Sequence, residues 1–397
     1  SIGYEIIKKI LKKFCSEEKD DLPRENENNN PATYDEKMSD KSKKEKKSEN
    51  NNEINDRQEN CLQEISSENK TNENEKEVNE HPIKLRNQKK DLPLVKKENK
   101  QNTINDPDSN NEILNNDNVI KKKERIKEYI CTKTLRGHQE KVVSLIKLES
   151  GHIATGSYEC VIYIWDIETG NIIKQKKESG YVFCLLEFEK DMLLSGTSEN
   201  DINLWDLNSD DNNCIDTFKG HDLWVNCLVK CDDKIFASAS NDANIIIWDY
   251  YKREKMYMLQ GHTDCILSLI KLQDGTLCSG SADLSIIIWD WKNKSIIANL
   301  EGHEKWIKCL YQLKDGTLLS GSDDKKIKIW KNNRCKNTIK GHAHSVRAIC
   351  QVKDNVLATG SFDKTIKIWD LENFTCVQTL TEHNGNVICI IKYDNDK

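Results

Sequence analysis

The sequence predicts an all-β fold in which small antiparallel sheets stack radially, joined to an N-terminal stretch that stays unfolded. Three observations carry this. Beyond residue 129 the chain repeats with a period near 40. A Gly-His pair and a Trp recur at fixed places in that period. The composition also breaks there: all nine Trp and sixteen of the seventeen Gly lie after residue 129, and all five Pro before it.

Residues 1–15 begin SIGYEIIKKILKKF, where Ile6, Ile7, Ile10, Leu11 and Phe14 fall at helical spacing opposite Lys8, Lys9, Lys12 and Lys13. That spacing predicts a short amphipathic helix. A membrane surface or a partner groove would suit it; the end of an upstream region suits it better, and Ser1 reads as an internal cut in a longer protein. Residues 16–128 are dominated by Asn, Lys, Glu and Asp, with 22 Asn between 16 and 120. Apolar residues there are too sparse to offset the entropy of ordering the chain, so this segment is expected to be disordered. Residues 129–397 are expected to fold.

The formal net charge is −6, with 27 cationic against 29 anionic residues up to 129 and 33 against 37 beyond. Neither part has the basic excess of an electrostatic nucleic-acid binder, so no nucleic-acid partner is expected. Such totals are blind to a local basic patch. Fifteen Cys are scattered without a C-x-x-C pair or zinc-type spacing. They read as buried thiols in a reducing compartment, intracellular and either cytoplasmic or nuclear. No run of eighteen apolar residues occurs, so no membrane span is expected. No metal motif, phosphate loop, nucleotide fingerprint or catalytic signature is present, so neither a cofactor nor an enzymatic activity is expected.

Within the repeat, Gly-His stands at 137–138, 220–221, 261–262, 302–303 and 341–342, with the variant Glu382-His383 after them. Trp stands at 165, 205, 248, 289, 330 and 369, followed by Asp every time except at Lys331. Each unit holds three short apolar stretches and a less regular fourth, as WIKCLYQL, TLLSGS, KIKIW and CKNTIK do after Gly302. Stretches such as ANIIIWD and LSIIIWD are apolar on consecutive positions, as strands covered on both faces are. Gly-Ser and Asp-Gly pairs are expected to mark hairpin turns. A G-H…W-D signature at this period means four short strands per repeat, stacked as blades of a propeller. On these marks the chain resembles the WD-repeat family over roughly residues 130–397, about two-thirds of its length.

The set His303, Ser320, Asp324 and Trp330 has the residue types of a nucleophilic triad. It recurs as His221, Ser238, Asp242 and Trp248, as His262, Ser279, Asp283 and Trp289, and as His342, Thr359, Asp363 and Trp369. An active site needs one copy; a scaffold needs one per blade. The resemblance implies a buried hydrogen-bond network in each blade, tying the loop before the first strand to the second and third strands. Two units depart from the pattern. The first has Glu159 in place of Asp; the second has Glu199 there and no His, its loop reading KKESG. The second network is therefore expected to be open.

The stretch 129–135, YICTKTL, precedes the first complete unit, and 386–393, NVICIIKY, begins a last one. Six complete units and one begun predict a seven-bladed propeller whose last blade is truncated, with YICTKTL as the outer strand of that blade.

The resemblance also implies that partners dock around the channel mouth, on the face where the first strand of each blade begins. Carried onto this chain, the contact positions include Tyr158, Tyr181, Trp224, Trp306, Lys308, Arg347 and Phe362. Aromatics of this kind anchor protein interfaces. The functional expectation is a non-catalytic scaffold or adaptor that binds other proteins or peptides in a multiprotein complex. Two alternatives stay open. Lys308 and Arg347 fall in the column where Arg holds phosphorylated degrons in F-box WD-repeat receptors, which implies a substrate receptor of a ubiquitin ligase for acidic or phosphorylated segments. Short hairpins such as LQDGTLCSG resemble the F-box and TRAF-type groups. The third reading is a targeting domain of a larger enzyme.

Overall fold

The computed structural model describes residues 129–393. The helix expected over 1–15 and the disorder expected over 16–128 lie outside the described residues. The described part contains twenty-four strands, arranged as six four-stranded antiparallel sheets in which spatial order follows chain order. The sheets span 142–177, 182–218, 225–260, 266–300, 307–340 and 346–380, and are called sheets one to six. Strands a to d run from the innermost to the outermost.

Sheet five shows how the local sequence makes one blade. Its strands are Ile307–Gln312, Leu318–Ser322, Lys326–Lys331 and Arg334–Lys340. The first turn carries Asp315-Gly316, with Gly316 at a φ of 82° that suits glycine. Asp315 accepts the Thr317 N–H at 3.0 Å. The last turn is the pair Asn332-Asn333, at φ values of 52° and 57°. Two consecutive left-handed residues make the hairpin type whose twist matches its strands, and Asn tolerates that region.

The Asp-Gly pairs stand in turns, but the Gly-Ser pairs do not. Gly321-Ser322 closes strand b of sheet five. Its role lies between sheets: a Cβ on Gly321 would meet Cys309 Sγ at 2.6 Å and Val346 Cγ1 at 2.8 Å. The absent side chain lets strand a of sheet six close onto sheet five.

Strands b and c are buried on both faces, and the apolar clusters lie in the seams. One joins sheets two and three through Phe188, Phe218, Phe236 and Trp248. Others join sheets one and two, three and four, four and five, and five and six. Between sheets six and one the filler is different. Val387 sits in the notch at Gly360, where a Cβ would meet its Cγ1 at 2.5 Å. Cys389 Sγ donates to the Val143 carbonyl at 3.0 Å, and the Tyr393 hydroxyl to the Gly151 carbonyl at 2.8 Å. Tyr129 packs with Ile390 on Val356, Ala358 and Ile368.

The expected seven blades are therefore corrected to six. The 387–393 stretch occupies the place of an inner strand, and the Tyr129 backbone exchanges hydrogen bonds with the Gln378 side chain. Neither 129–135 nor 386–393 forms a strand. The physical reason is spacing. Strands pair only about 4.8 Å apart, and the two middle strands that would join these outer and inner stretches are not among the described residues.

The seam at Gly321 gives a direct test. Gly321→Ala should destabilise the protein by about 1–3 kcal/mol through overpacking. Gly385→Ala, where nothing lies within 4 Å of the new Cβ, serves as the neutral control. Urea unfolding measures both; equal midpoints for the two variants would contradict the tight seam.

Candidate functional site

The recurring polar residues come together inside each sheet. In sheet five, Trp330 Nε1 donates to Ser320 Oγ at 2.8 Å. Ser320 Oγ and His303 Nε2 are 2.7 Å apart, and His303 Nδ1 and Asp324 Oδ2 are 2.7 Å apart. An indole can only donate and a carboxylate can only accept, so the directions follow. Serine accepts from Trp and donates to His, and the histidine carries its proton on Nδ1, facing Asp. Asp324 also accepts the backbone N–H groups of Glu304 and Lys326. The same chain runs through His221, Ser238, Asp242 and Trp248. It runs again through His262, Ser279, Asp283 and Trp289, and through His342, Thr359, Asp363 and Trp369. Ser320 is fully buried and its hydroxyl is engaged on both sides, so no substrate reaches it as a nucleophile.

The two departing units are closed by other means. In sheet one, His138 bonds Glu159 and lies 2.6 Å from Thr155 Oγ1, which accepts from Trp165. In sheet two the expected opening is filled by Glu178, from the loop KKESG that replaces the Gly-His. Glu178 accepts from the Ser195 hydroxyl, from Asn203 Nδ2 at 2.7 Å and from Trp205 Nε1 at 3.1 Å. One carboxylate thus stands where other sheets use imidazole and aspartate. Burial pushes the Glu178 carboxyl up, against these three donors. The signal in the sequence was a lone acid 17 residues before Ser195, the spacing His has to Ser elsewhere.

The contact positions predicted from the repeat line one face. In every sheet the residue opening the b–c turn donates its N–H to the carbonyl just before strand a. These pairs are Tyr158 to Lys141, Ser198 to Tyr181, Asn241 to Trp224, Ala282 to Cys265, Asp323 to Trp306 and Phe362 to Ser345, at 2.9–3.1 Å. Tyr158 stacks on Tyr181 at 4.9 Å, and Phe183 stacks on Trp224 at 5.3 Å while meeting Tyr158 edge-on at 5.8 Å. Phe183 falls in the same contact column of the repeat as Lys308 and Arg347. Trp224 is only 8% exposed and packs with Cys265, Ala282, Leu267 and Trp306. The Lys308 ammonium lies 4.5 Å from the Trp306 ring centroid and 3.4 Å from Asp323. Arg347 lies over Phe362 at 4.5 Å. Asp323, which falls in the same column of the repeat as Tyr158 and Phe362, also accepts from the Ser345 hydroxyl. Among the described residues no group of His, Cys, Asp or Glu could hold a metal ion.

Two predictions follow from the networks. Removing an acceptor leaves buried donors unpaired at about 1–3 kcal/mol. Glu178→Ala should thus destabilise the protein about as much as His303→Ala in chemical denaturation; a neutral Glu178→Ala would mean that sheet two has no closed network. The second concerns pH. Burial pushes the Asp324 and Asp363 carboxyls up, but hydrogen bonds outweigh it: from His303 and neighbouring backbone for Asp324, and from Thr365, Ala343 and His342 for Asp363. Both are held at about 2, below the ordinary 3.8. A lowered carboxylate stabilises the fold above its unfolded value and loses that contribution as pH falls through the folded value. Unfolding free energy should therefore decline between about pH 4 and 2. Asp324→Asn/Asp363→Asn should flatten that decline, and an unchanged slope would contradict the assignment.

Comparison with known proteins agrees with this geometry. The family model for the WD domain, G-beta repeat, matches residues 129–166, 212–249, 253–290, 294–331 and 333–370. The stretch 167–211, with Glu178 and most of sheet two, falls outside those matches. The chain is 30% identical over 135 residues to a ribosome biogenesis protein WDR12 homolog of Nematostella vectensis, covering 33% of this chain and 32% of that protein. It is 38% identical over 103 residues to nuclear distribution protein nudF of Aspergillus niger, covering 24% and 23%. It is 29% identical over 96 residues to cell division control protein 4 of Saccharomyces cerevisiae, covering 24% and 12%. The chain thus spans about a third or less of the length of these curated relatives. The repeated strands, the recurrent Trp–Ser–His–Asp networks and the five matched segments together show that the chain belongs to the WD-repeat family.

Proposed function

We propose that the ring is a non-catalytic scaffold that holds partner proteins or peptides on the face where the inner strands begin. The observation that carries this is the aromatic tier from Tyr158 through Tyr181, Phe183 and Trp224 to Trp306. Tyr158, Tyr181, Phe183 and Trp306 are half-buried, and stiff aromatic rings in contact offer a partner apolar area with little side-chain entropy to lose. The polar networks lie beneath this tier and hold its loops, so its shape is fixed before a partner arrives. The degron reading is less well supported: Asp323 already meets the Lys308 charge, which removes one of the two cations it rests on. A targeting role within a larger enzyme would use the same tier. Relatives named for ribosome biogenesis and nuclear distribution support work inside the cell, in cytoplasm or nucleus.

Tyr181→Ala/Trp306→Ala, compared with the parent protein at matched melting temperature, tests the reading. Partners captured by the parent from cell extract should bind the variant about 30-fold more weakly, corresponding to about 2 kcal/mol. Equal affinity for the same partners would refute the assignment of this face.

A further inference from the structure

The charges of the ring are not spread evenly. Residues 178–219, which build sheet two, carry ten carboxylates against two lysines. Residues 301–340, which build sheet five, carry ten Lys or Arg against five carboxylates. The other four sheets are balanced to within one charge. Sheets three and four lie between the two on one side, and sheets six and one on the other. The acidic and basic sheets therefore stand at opposite rims of the ring.

At the basic rim, strand d carries Arg334, Lys336 and Lys340, all exposed. Lys326 pairs directly across from Lys340, and Lys331 from Arg334. Like charges placed opposite each other destabilise a strand pair. Glu304 and Asp315 answer Lys326 and Lys331. Among the described residues, no carboxylate forms an ion pair with Arg334, Lys336 or Lys340. Lysines on an edge strand can simply discourage aggregation. That explanation fails here, because the equivalent edges SIIANL (Ser295–Leu300) and TCVQTL (Thr375–Leu380) carry no charge at all. It also leaves unexplained why strand c repeats the charges of strand d.

At the acidic rim, the turn between strands c and d is the longest of the six, residues 207–215. It projects Asp210 and Asp211, and Asp216 follows; all three are exposed. Lys174 and Lys176 of sheet one hold this loop by the carbonyls of Leu207, Ser209 and Asp211. Lys174 is 4.0 Å from Asp210, and Arg253 is 3.4 Å from Asp216. The loop is thus held by its backbone while its carboxylates point outward.

We propose that a second copy of this chain docks its acidic sheet-two rim on the basic sheet-five rim of the first. Within one molecule the two rims cannot neutralise each other, since fields between exposed charges fade over about 8 Å at physiological salt. Between molecules they can. The patches differ and lie at opposite ends, so docking one pair edge to edge leaves the other rim of each molecule free. The contact is head-to-tail and extends into open chains of rings. A nucleic acid is the weaker occupant for the basic rim: no exposed aromatic of sheet five stands among these cations to stack a base, and it leaves the acidic rim unexplained.

Sedimentation velocity of the 397-residue protein tests this. In about 20 mM NaCl the weight-average mass should at least double as concentration rises. It should return to the monomer value in about 500 mM NaCl, where the Debye length shrinks toward a few ångström. Arg334→Glu/Lys336→Glu/Lys340→Glu alone and Asp210→Lys/Asp211→Lys alone should each stay monomeric. Mixed, they should associate again, because the unaltered acidic rim of the first variant meets the unaltered basic rim of the second. That rescue separates a lost contact from a misfolded variant, and circular dichroism of each variant confirms its sheets. A monomer at low salt, association unaffected by either variant, no rescue on mixing, or assembly only with added RNA would each overturn the proposal.

Discussion

Each sheet in this ring is apolar on both faces, and only its two neighbours can cover them. That constraint governs the rest of the structure. It explains why strands such as IIIWD are apolar on consecutive positions, and why a glycine recurs where one sheet's inner strand closes onto the next. It also explains why the junction between sheets six and one is filled by an inner-strand-like stretch and by Tyr129, although the described residues form no seventh sheet there. An uncovered face of sheet six would expose Ala358 and Ile368 to water, at about 25 cal/mol for each Å² of apolar surface.

Stacking sheets leaves buried polar groups that must be paired within each blade, since the neighbouring seams are apolar. The indole of each recurrent Trp brings a donor into the seam. The hydroxyl, imidazole and carboxylate carry that bond outward to the backbone of the loop before strand a. Sheet two shows that the demand is for acceptors in the right places, not for histidine as such. Glu178 reaches the hydroxyl and the indole directly, and Asn203 takes up its second oxygen. The result is six loops fixed on one face, which is the platform for the aromatic tier. The rims, facing solvent, are free to carry charge of either sign.

Much of this was legible in the sequence. The strands and their order could be read because they recur six times, and the network members because the full set recurs four times; recurrence marks a residue as part of the frame. What recurs imperfectly was harder. Glu178 escaped because the pattern looks for imidazole, while chemistry accepts any suitably placed acceptor. The number of sheets was misread because 129–135 and 386–393 have strand-like composition, yet a strand exists only where a partner lies at pairing distance. Phe183 and Asp323 could be placed in the contact columns by periodicity, but the stacking of Phe183 on Trp224 and the pairing of Asp323 with Lys308 and Ser345 could not be read from it. The opposed charges were present in the sequence as two one-signed stretches, but only the ring turns them into opposite rims.

The central claim is that the recurrent indoles and imidazoles are internal struts of a closed ring. Hydrogen exchange of the six indole Nε1–H groups, at Trp165, Trp205, Trp248, Trp289, Trp330 and Trp369, tests it most directly. All six should exchange slowly and together, at the rate of global unfolding, with Trp205 no faster than the others. Exchange of these protons at the rate of a solvent-exposed indole would contradict the account.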